Sequence, residues 1–73
     1  MTRGAITRSI DSSLIRSVTY GADATLTVRL HGGAVYRYFT VPRTVFEELL
    51  AAASKGAYVS RHIRDGFPYQ RVA

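Results

Sequence analysis

The fold of this chain is decided by the stretch GGAVYRYFTVP, which runs from Gly32 to Pro42. Two glycines open it, and a run rich in aromatic and β-branched residues follows, which is typical of a hairpin turn that leads into a strand. Side chains alternate between the two faces of a strand, so Tyr36 and Tyr38 share one face while Arg37 takes the other. The register of the hairpin therefore decides which of these side chains lie on the core.

Two hairpin closures compete. The preceding segment, TLTVRLH, alternates, with its leucines and valine on one face and Arg29 on the other. A two-residue turn at Gly32-Gly33 would place Arg37 on the apolar face, whereas a three-residue loop from His31 to Gly33, with the second glycine left-handed, places both tyrosines there. An unpaired arginine in a core costs several kcal/mol, more than the difference between two permitted turns, so we predict the three-residue loop. The predicted inner face consists of Leu26, Val28, Leu30, Ala34, Tyr36 and Tyr38.

The rest of the chain predicts one small α+β domain. LIRSVTY, within residues 13–20, has strand composition, and PRTVFEELLAAASKG has apolar residues at helical spacing, with Pro42 in its first turn and a stop at Lys55-Gly56. A second helix is expected from Ser60, as N-cap, to Gly66, followed by an extended tail. The predicted fold is a three-stranded antiparallel β-meander packed by one main helix, with a short second helix at the C-terminal side and a flexible N-terminal arm.

Length and composition narrow the classes of protein. A chain of 73 residues has room for one thin core and hardly any for an enclosed substrate cavity. We expect a flexible basic arm over residues 1–12 and a single domain over residues 13–73. The chain has no cysteine, so disulfides and cysteine-ligated zinc are excluded. No apolar run approaches bilayer length and the first residues do not form a signal peptide, which predicts a soluble cytoplasmic protein.

Motifs for catalysis are absent from the sequence. His31 and His62 are the two histidines, and neither lies in a metal-binding or paired-carboxylate pattern. The serines lack a neighbouring base, and the segment after Gly32-Gly33 is a strand rather than the helix N-terminus that a phosphate loop requires. We expect no enzyme, no cofactor and no metal.

Arginine dominates the charged residues. Ten basic side chains against five acidic ones give a net charge of +5, and nine of the ten are arginines. A planar guanidinium suits bidentate contacts with carboxylate or phosphate, although any single arginine is equally well explained as a solvated surface charge. Arg29 and Arg37 are expected to lie close together on the outer sheet face, and Arg61 and Arg64 to share a helix face. The predicted partner-binding residues are Arg3, Arg8, Arg16, Arg29, Arg37, Arg61 and Arg64.

The order of motifs resembles that of the KTSC domain, a short module named for the C-terminus of some lysyl-tRNA synthetases and also found as a small free-standing protein. The resemblance covers about Ser12 to Tyr69 and rests on SSLIRSVTY, TLTVRL, the glycine turn, VYRYFTVP and FEELLAAASKGAYVSRHIRDGFPY. The family has no established activity. Its occurrence in lysyl-tRNA synthetases implies RNA binding, by analogy alone.

Two functions are therefore open. Resemblance to a free-standing family member, a bacteriophage transcription regulator, implies protein–protein binding to bacterial RNA polymerase, with inhibition of initiation and antitermination in the host cytoplasm. The alternative is an RNA-binding module of the kind appended to lysyl-tRNA synthetase. Buried tyrosines would leave few rings to stack on bases, so the predicted register favours the polymerase, with nucleic acid as a secondary partner and neither a membrane nor a small-molecule substrate.

Overall fold

The computed structural model describes residues 5–73, which form one antiparallel five-stranded sheet with helical segments on one face. The strands follow one another across the sheet in chain order: β1 (Ile6–Ser9), β2 (Ile15–Tyr20), β3 (Leu26–Leu30), β4 (Val35–Tyr38) and β5 (Tyr69–Arg71). The helical segments are α1 (Arg43–Ala51), α2 (Lys55–Tyr58) and a π-helical segment (Val59–Ile63) that continues α2. Within residues 5–73, no helix has the length and apolar character needed to cross a membrane.

The β3–β4 hairpin has the predicted register. Leu26 pairs with Tyr38 and Val28 with Tyr36, so both tyrosines lie on the face that carries the core. The three-residue loop closes when the Leu30 amide donates to the Ala34 carbonyl at 2.9 Å. The loop's last residue, Gly33, has a φ of 100°, which is the left-handed conformation that this loop requires.

The core lies between the sheet and the helical segments. The ring of Tyr20 stacks on that of Phe46 at 4.9 Å, and the Tyr20 hydroxyl donates to the Val41 carbonyl at 2.6 Å. These contacts fix α1 over the Tyr20 end of the sheet. The buried apolar residues are Ile10, Ile15, Val18, Tyr20, Leu26, Val28, Tyr38, Val41, Phe46, Leu49, Val59 and Ile63.

The prediction of a three-stranded sheet with a flexible N-terminal arm is wrong. Residues 6–9 form β1, which pairs with β2, and Ile10 is buried in the core. The apolar content of this segment is too low to predict a strand, but β2 offers it a row of free backbone donors and acceptors, and one isoleucine anchors it. Part of the predicted arm, residues 1–4, lies outside the described residues.

The C-terminal tail supplies the fifth strand. Its extended conformation is as expected, but Tyr69 pairs with Tyr38 and Arg71 with Tyr36, so the tail completes the sheet beyond β4. Local composition could not predict this pairing, because the partner strand lies some thirty residues earlier in the chain.

The predicted main helix is two short helical segments. α1 ends at Ala51, Ala52 is extended, and the Ser54 hydroxyl caps α2 by accepting from the Ala57 amide at 3.3 Å. Ser60 lies inside the π-helical segment and is not the N-cap that we predicted. The Lys55-Gly56 pair, which we interpreted as a helix stop, lies at the start of α2. The Ser54 side chain accepts from a free backbone amide there, which favours a new helix over continuation of the alanine-rich one.

One polar contact fastens the two helices together. The Tyr58 hydroxyl donates to Glu48 Oε1 at 2.7 Å, joining α2 to α1. Burial of the ring, followed by the hydrogen bond to Glu48 and its negative charge, raises the pKa of Tyr58 to about 12. The hydroxyl therefore remains protonated, and able to donate, well above neutral pH.

Gly33→Ala should destabilise the protein by about 1 kcal/mol, because a Cβ is strained at positive φ. Gly32→Ala is the matched control, since Gly32 lacks a positive φ and a Cβ there would meet no atom within 4 Å. Urea denaturation of both variants measures the difference. Equal stability of the two would contradict the three-residue loop.

Tyr38→Ala should destabilise the fold by about 3 kcal/mol as a large-to-small change in the core. Arg37→Ala, on the neighbouring position of the same strand, should leave the free energy of unfolding nearly unchanged, because Arg37 is exposed. Chemical denaturation gives both values. A larger effect from the arginine would mean that the strand faces the other way.

The contribution of Tyr58 to stability should depend on alkaline pH. Its pKa is raised on folding, so the stabilisation is complete below the ordinary tyrosine pKa of about 10 and is lost as the pH rises to about 12. The difference in unfolding free energy between wild type and Tyr58→Phe should therefore shrink across that window, as measured by denaturation at several pH values. A difference that stays constant with pH would show that Glu48 does not hold the proton on Tyr58.

Candidate binding groove

A concave site lies on the helix-bearing face, between the β4–β5 edge of the sheet and the π-helical segment. It encloses about 230 Å³. We call it the tyrosine groove, and its lining residues are Leu14, Ile15, Val28, Leu30, Tyr36, Tyr38, Val59, Ser60, Arg64 and Tyr69. None of these residues comes from α1, so the long helix leaves this part of the sheet uncovered.

Three tyrosines form one aromatic cluster in the groove. The ring centroids of Tyr36 and Tyr69 lie 5.9 Å apart, those of Tyr38 and Tyr69 5.5 Å, and those of Tyr36 and Tyr38 6.5 Å. These separations fall within the range of favourable aromatic pairs. Tyr38 is 4% exposed and Tyr69 is 53% exposed. The cluster therefore runs from the core out to solvent.

The sheet register explains why these rings meet. Tyr36 and Tyr38 are two residues apart on β4 and share a face, and β5 places Tyr69 directly opposite Tyr38. The tyrosines face inward as predicted, although α1 does not contribute to the groove that they line. α1 packs at Tyr20 instead, which leaves Tyr36 only partly buried.

Two arginines flank the aromatic cluster. Arg64 follows the π-helical segment and lines the groove. The Arg71 guanidinium lies 5.8 Å from the centroid of the Tyr36 ring, in a cation–π arrangement, and β5 pairs these two residues. The groove thus combines aromatic faces with positive charge.

The Tyr38 hydroxyl has no hydrogen-bond partner among the residues that the structure describes. Within residues 5–73 the hydroxyls of Tyr20 and Tyr58 make hydrogen bonds, whereas that of Tyr38 makes none. No side-chain polar atom in this part of the chain is sealed off without a partner, so the Tyr38 oxygen is reached from the groove that its side chain lines. Burial, and then the neighbouring tyrosines, raise the pKa of Tyr38, while Arg64 lowers it. On balance the hydroxyl remains neutral and can donate a hydrogen bond into the groove.

The predicted pair on the outer sheet face lies where we expected. Arg29 stands opposite Val35, and Arg37 stands opposite Thr27 on one side and Gln70 on the other, which makes the two arginines diagonal neighbours. Both are exposed on the face that carries no helix. They lie on the opposite side of the sheet from the tyrosine groove.

The other predicted arginines are scattered. Arg8 is exposed on β1, at the far edge of the sheet from β5, and Arg16 is exposed at an irregularity in the pairing of β2 with β3. Arg3 lies outside the described residues. Of the two described residues, Arg8 lies on the strand farthest from β5, and Arg16 adjoins Ser17, the residue that pairs with Arg29.

Arg61 and Arg64 separate instead of sharing a helix face. Arg64 lines the tyrosine groove, whereas Arg61 lines a shallower hollow beside Tyr58 and His62. The π-helical segment causes this, because it has more residues per turn than an α-helix and a spacing of three does not return to the same side.

Tyr69 and Arg71 are not among the predicted partner-binding residues, although the sequence offers Tyr69 as one of the few rings free to stack and Arg71 as a C-terminal arginine grouped with Arg61 and Arg64. The signal that could have found them is the alternation Tyr-x-Arg in the tail, which matches the Tyr-x-Tyr of β4 when the two segments pair. A tail interpreted as unpaired gave no reason to compare the two patterns.

Comparisons with known proteins agree with this architecture. The model of the KTSC domain family matches residues 11–67. The crystal structure of a KTSC domain protein from Yersinia pestis has a TM-score of 0.85, with 24% identity, and the match covers 94% of this chain and 99% of that one. This likeness shows the shared fold.

Relatives fall into two kinds. The chain is 41% identical over 64 residues to a lysine–tRNA ligase of Trichormus variabilis and 39% identical over 64 residues to that of a Nostoc species, matches that cover 86% of this chain and 11% of each ligase. It is also 41% identical over 59 residues to a small protein of Tsukamurella paurometabola, covering 80% of this chain and 88% of that protein. The chain therefore spans about a tenth of the ligases but most of the small protein. On the family match, which takes in more than half of its residues, this chain belongs to the KTSC domain family.

Proposed function

We propose that this chain is an RNA-binding module, not an enzyme, and that it holds single-stranded RNA at the tyrosine groove. The observation that carries the proposal is the meeting of Tyr36, Tyr38 and Tyr69 with Arg64 in one concave site, with the Arg71 guanidinium beside it over the Tyr36 ring. Single-stranded nucleic acids are bound by this combination, in which rings stack on bases and cations meet the backbone.

The magnitudes favour the aromatic part of the site. Stacking of a base on an exposed ring contributes about 1–3 kcal/mol, and the half-exposed Tyr69 offers such a ring. Arg64 and Arg71 add attraction to phosphate that salt weakens. The net charge of +5 would bring a polyanion toward any face of the protein, but it cannot select the groove. Specific binding therefore depends on the rings.

The names of the relatives also support RNA binding. Three lysine–tRNA ligases match this chain, and the ligases' name states that they act with tRNA. The matched part is a small fraction of each ligase, so the ligase reaction itself is not proposed for this chain. An RNA-binding role of this kind would be exercised in the bacterial cytoplasm.

A second candidate is binding to an acidic protein surface, such as that of bacterial RNA polymerase, in the manner of a bacteriophage regulator that blocks initiation and promotes antitermination. The observation that favours it is the outer-face pair Arg29 and Arg37, which no acidic side chain of residues 5–73 neutralises, since the ion pair present there is Arg43–Glu47. The two candidates use opposite faces of the sheet and can be separated by mutation.

Substitutions on the two faces should have different effects on RNA binding. Tyr69→Ala should weaken binding of a fluorescent single-stranded RNA oligonucleotide about tenfold or more, through lost stacking. Arg64→Gln should reduce the steepness with which affinity falls as salt rises. The matched control is Arg29→Gln with Arg37→Gln, which removes two charges on the other face and should leave the specific part of the affinity unchanged. Fluorescence anisotropy at several salt concentrations measures all three.

The same variants test the second candidate. If the protein recovers RNA polymerase from a bacterial lysate, and the outer-face double variant loses it while Tyr69→Ala does not, the polymerase is the partner. Absence of any RNA binding by wild type at low salt would rule out the RNA proposal.

A further inference from the structure

We propose that the tyrosine groove is a pocket for one unpaired nucleotide, with the base against the tyrosine rings, its edge at the Tyr38 hydroxyl, and its phosphate at Arg64 and Arg71. This inference rests on the proposed RNA-binding function and specifies its ligand. It differs from a general stacking strip because it assigns one base to one enclosed site.

The size of the groove limits what it can hold. Its volume of about 230 Å³ is smaller than the roughly 300–1,000 Å³ of pockets for drug-sized ligands. A single base with part of its sugar is a flat ligand of suitable size, whereas a run of stacked bases would have to lie outside. Further nucleotides of a longer strand would then leave the groove across the exposed ring of Tyr69.

The floor of the groove offers a hydrogen bond that the protein does not use. The Tyr38 side chain is 96% buried, and its hydroxyl has no partner within residues 5–73. The Tyr38 oxygen is open to the groove, so a ligand that accepts or donates there can form a hydrogen bond that no group of residues 5–73 makes with it. The edges of a base carry hydrogen-bond donors and acceptors in the plane of its ring. A base that stacks on the tyrosine rings can therefore present its edge to the Tyr38 hydroxyl.

The walls of the groove include apolar side chains that remain at least partly exposed in the free protein. Leu14 lines the groove and is 48% exposed, and Leu30, which also lines it, is only partly buried. A base that entered the groove would cover both side chains, and burial of apolar surface favours binding. Leu14 also lies near Gly56, where an added Cβ would approach its Cδ2 at 3.4 Å, so α2 helps to hold this wall.

The positive charges lie where a phosphate would emerge. Arg64 lines the groove and acts electrostatically on Tyr38, and Arg71 lies over Tyr36. A guanidinium offers paired donors to phosphate oxygens. The tyrosines would contact an aromatic base, and the arginines would contact an anion. One nucleotide supplies both groups. A paired base inside a duplex cannot present its face to the groove, so the pocket selects single strands.

Titration with mononucleotides tests the pocket directly. The backbone amide NMR signals of β4, β5 and the π-helical segment should shift when AMP is added. The affinity for adenosine, which lacks the phosphate, and for ribose 5-phosphate, which lacks the base, should be lower than the affinity for AMP. Arg64→Gln should reduce the preference for AMP over adenosine, because it removes one of the two guanidinium groups assigned to the phosphate. Tyr38→Phe keeps the ring and should lower the affinity for at least one of the four nucleoside monophosphates about three- to tenfold. Arg29→Gln, on the other sheet face, is the control and should change none of these values.

The outcomes separate this inference from the function on which it rests. If the RNA oligonucleotide binds but AMP leaves the groove amides unmoved, or if Tyr38→Phe affects none of the four nucleotides, the single-nucleotide pocket is wrong and RNA binding stands. If AMP binds in the groove and the oligonucleotide does not bind, the pocket stands and the RNA function is wrong. If neither binds, both are overturned. Thermal unfolding of Tyr38→Phe confirms that the comparison is made on folded protein.

Discussion

The register of the β3–β4 hairpin is the constraint on which the rest of the structure depends. Gly33, at a φ of 100°, allows a three-residue loop, and that loop places Tyr36 and Tyr38 on the core side and Arg37 on the other. A slip of one residue would exchange these faces and put an arginine against the helices. Both the core and the tyrosine groove therefore follow from a single backbone conformation that glycine adopts at little cost.

The groove exists because the helices cover the sheet unevenly. α1 is held at one end by the stacking of Phe46 on Tyr20, and the π-helical segment anchors Ile63 in the core. Between them and the β5 edge, the inner face of the sheet continues without a helix above it. The chain has too few residues in its helices to cover five strands, and the uncovered part carries aromatic rings that tolerate partial contact with water.

Sequence reasoning succeeded at the hairpin, failed where distant segments meet, and misplaced the helix boundaries at Ser54 and Ser60. The loop at Gly33 could be predicted because burial of Arg37 would cost more than any difference between turns. β1 and β5 could not, because each is stabilised by an edge of a sheet that the segment itself does not contain. The same limit concealed the contribution of the C-terminal tail to the candidate site. Arg64 was among the predicted residues, but the pairing of β5 with β4 is what brings Tyr69 into the groove and Arg71 over the Tyr36 ring.

The position of β5 has a consequence for how the protein responds to a ligand. This strand has three residues, all exposed, and it is bonded to β4 along one side only, so it belongs to the part of the sheet that opens most easily. Yet it places Tyr69 in the groove and Arg71 over the ring of Tyr36. The pairing of β5 with β4 and the occupancy of the groove are therefore linked equilibria. A ligand that contacts both residues would oppose the fraying of β5, and fraying of β5 would in turn release the ligand.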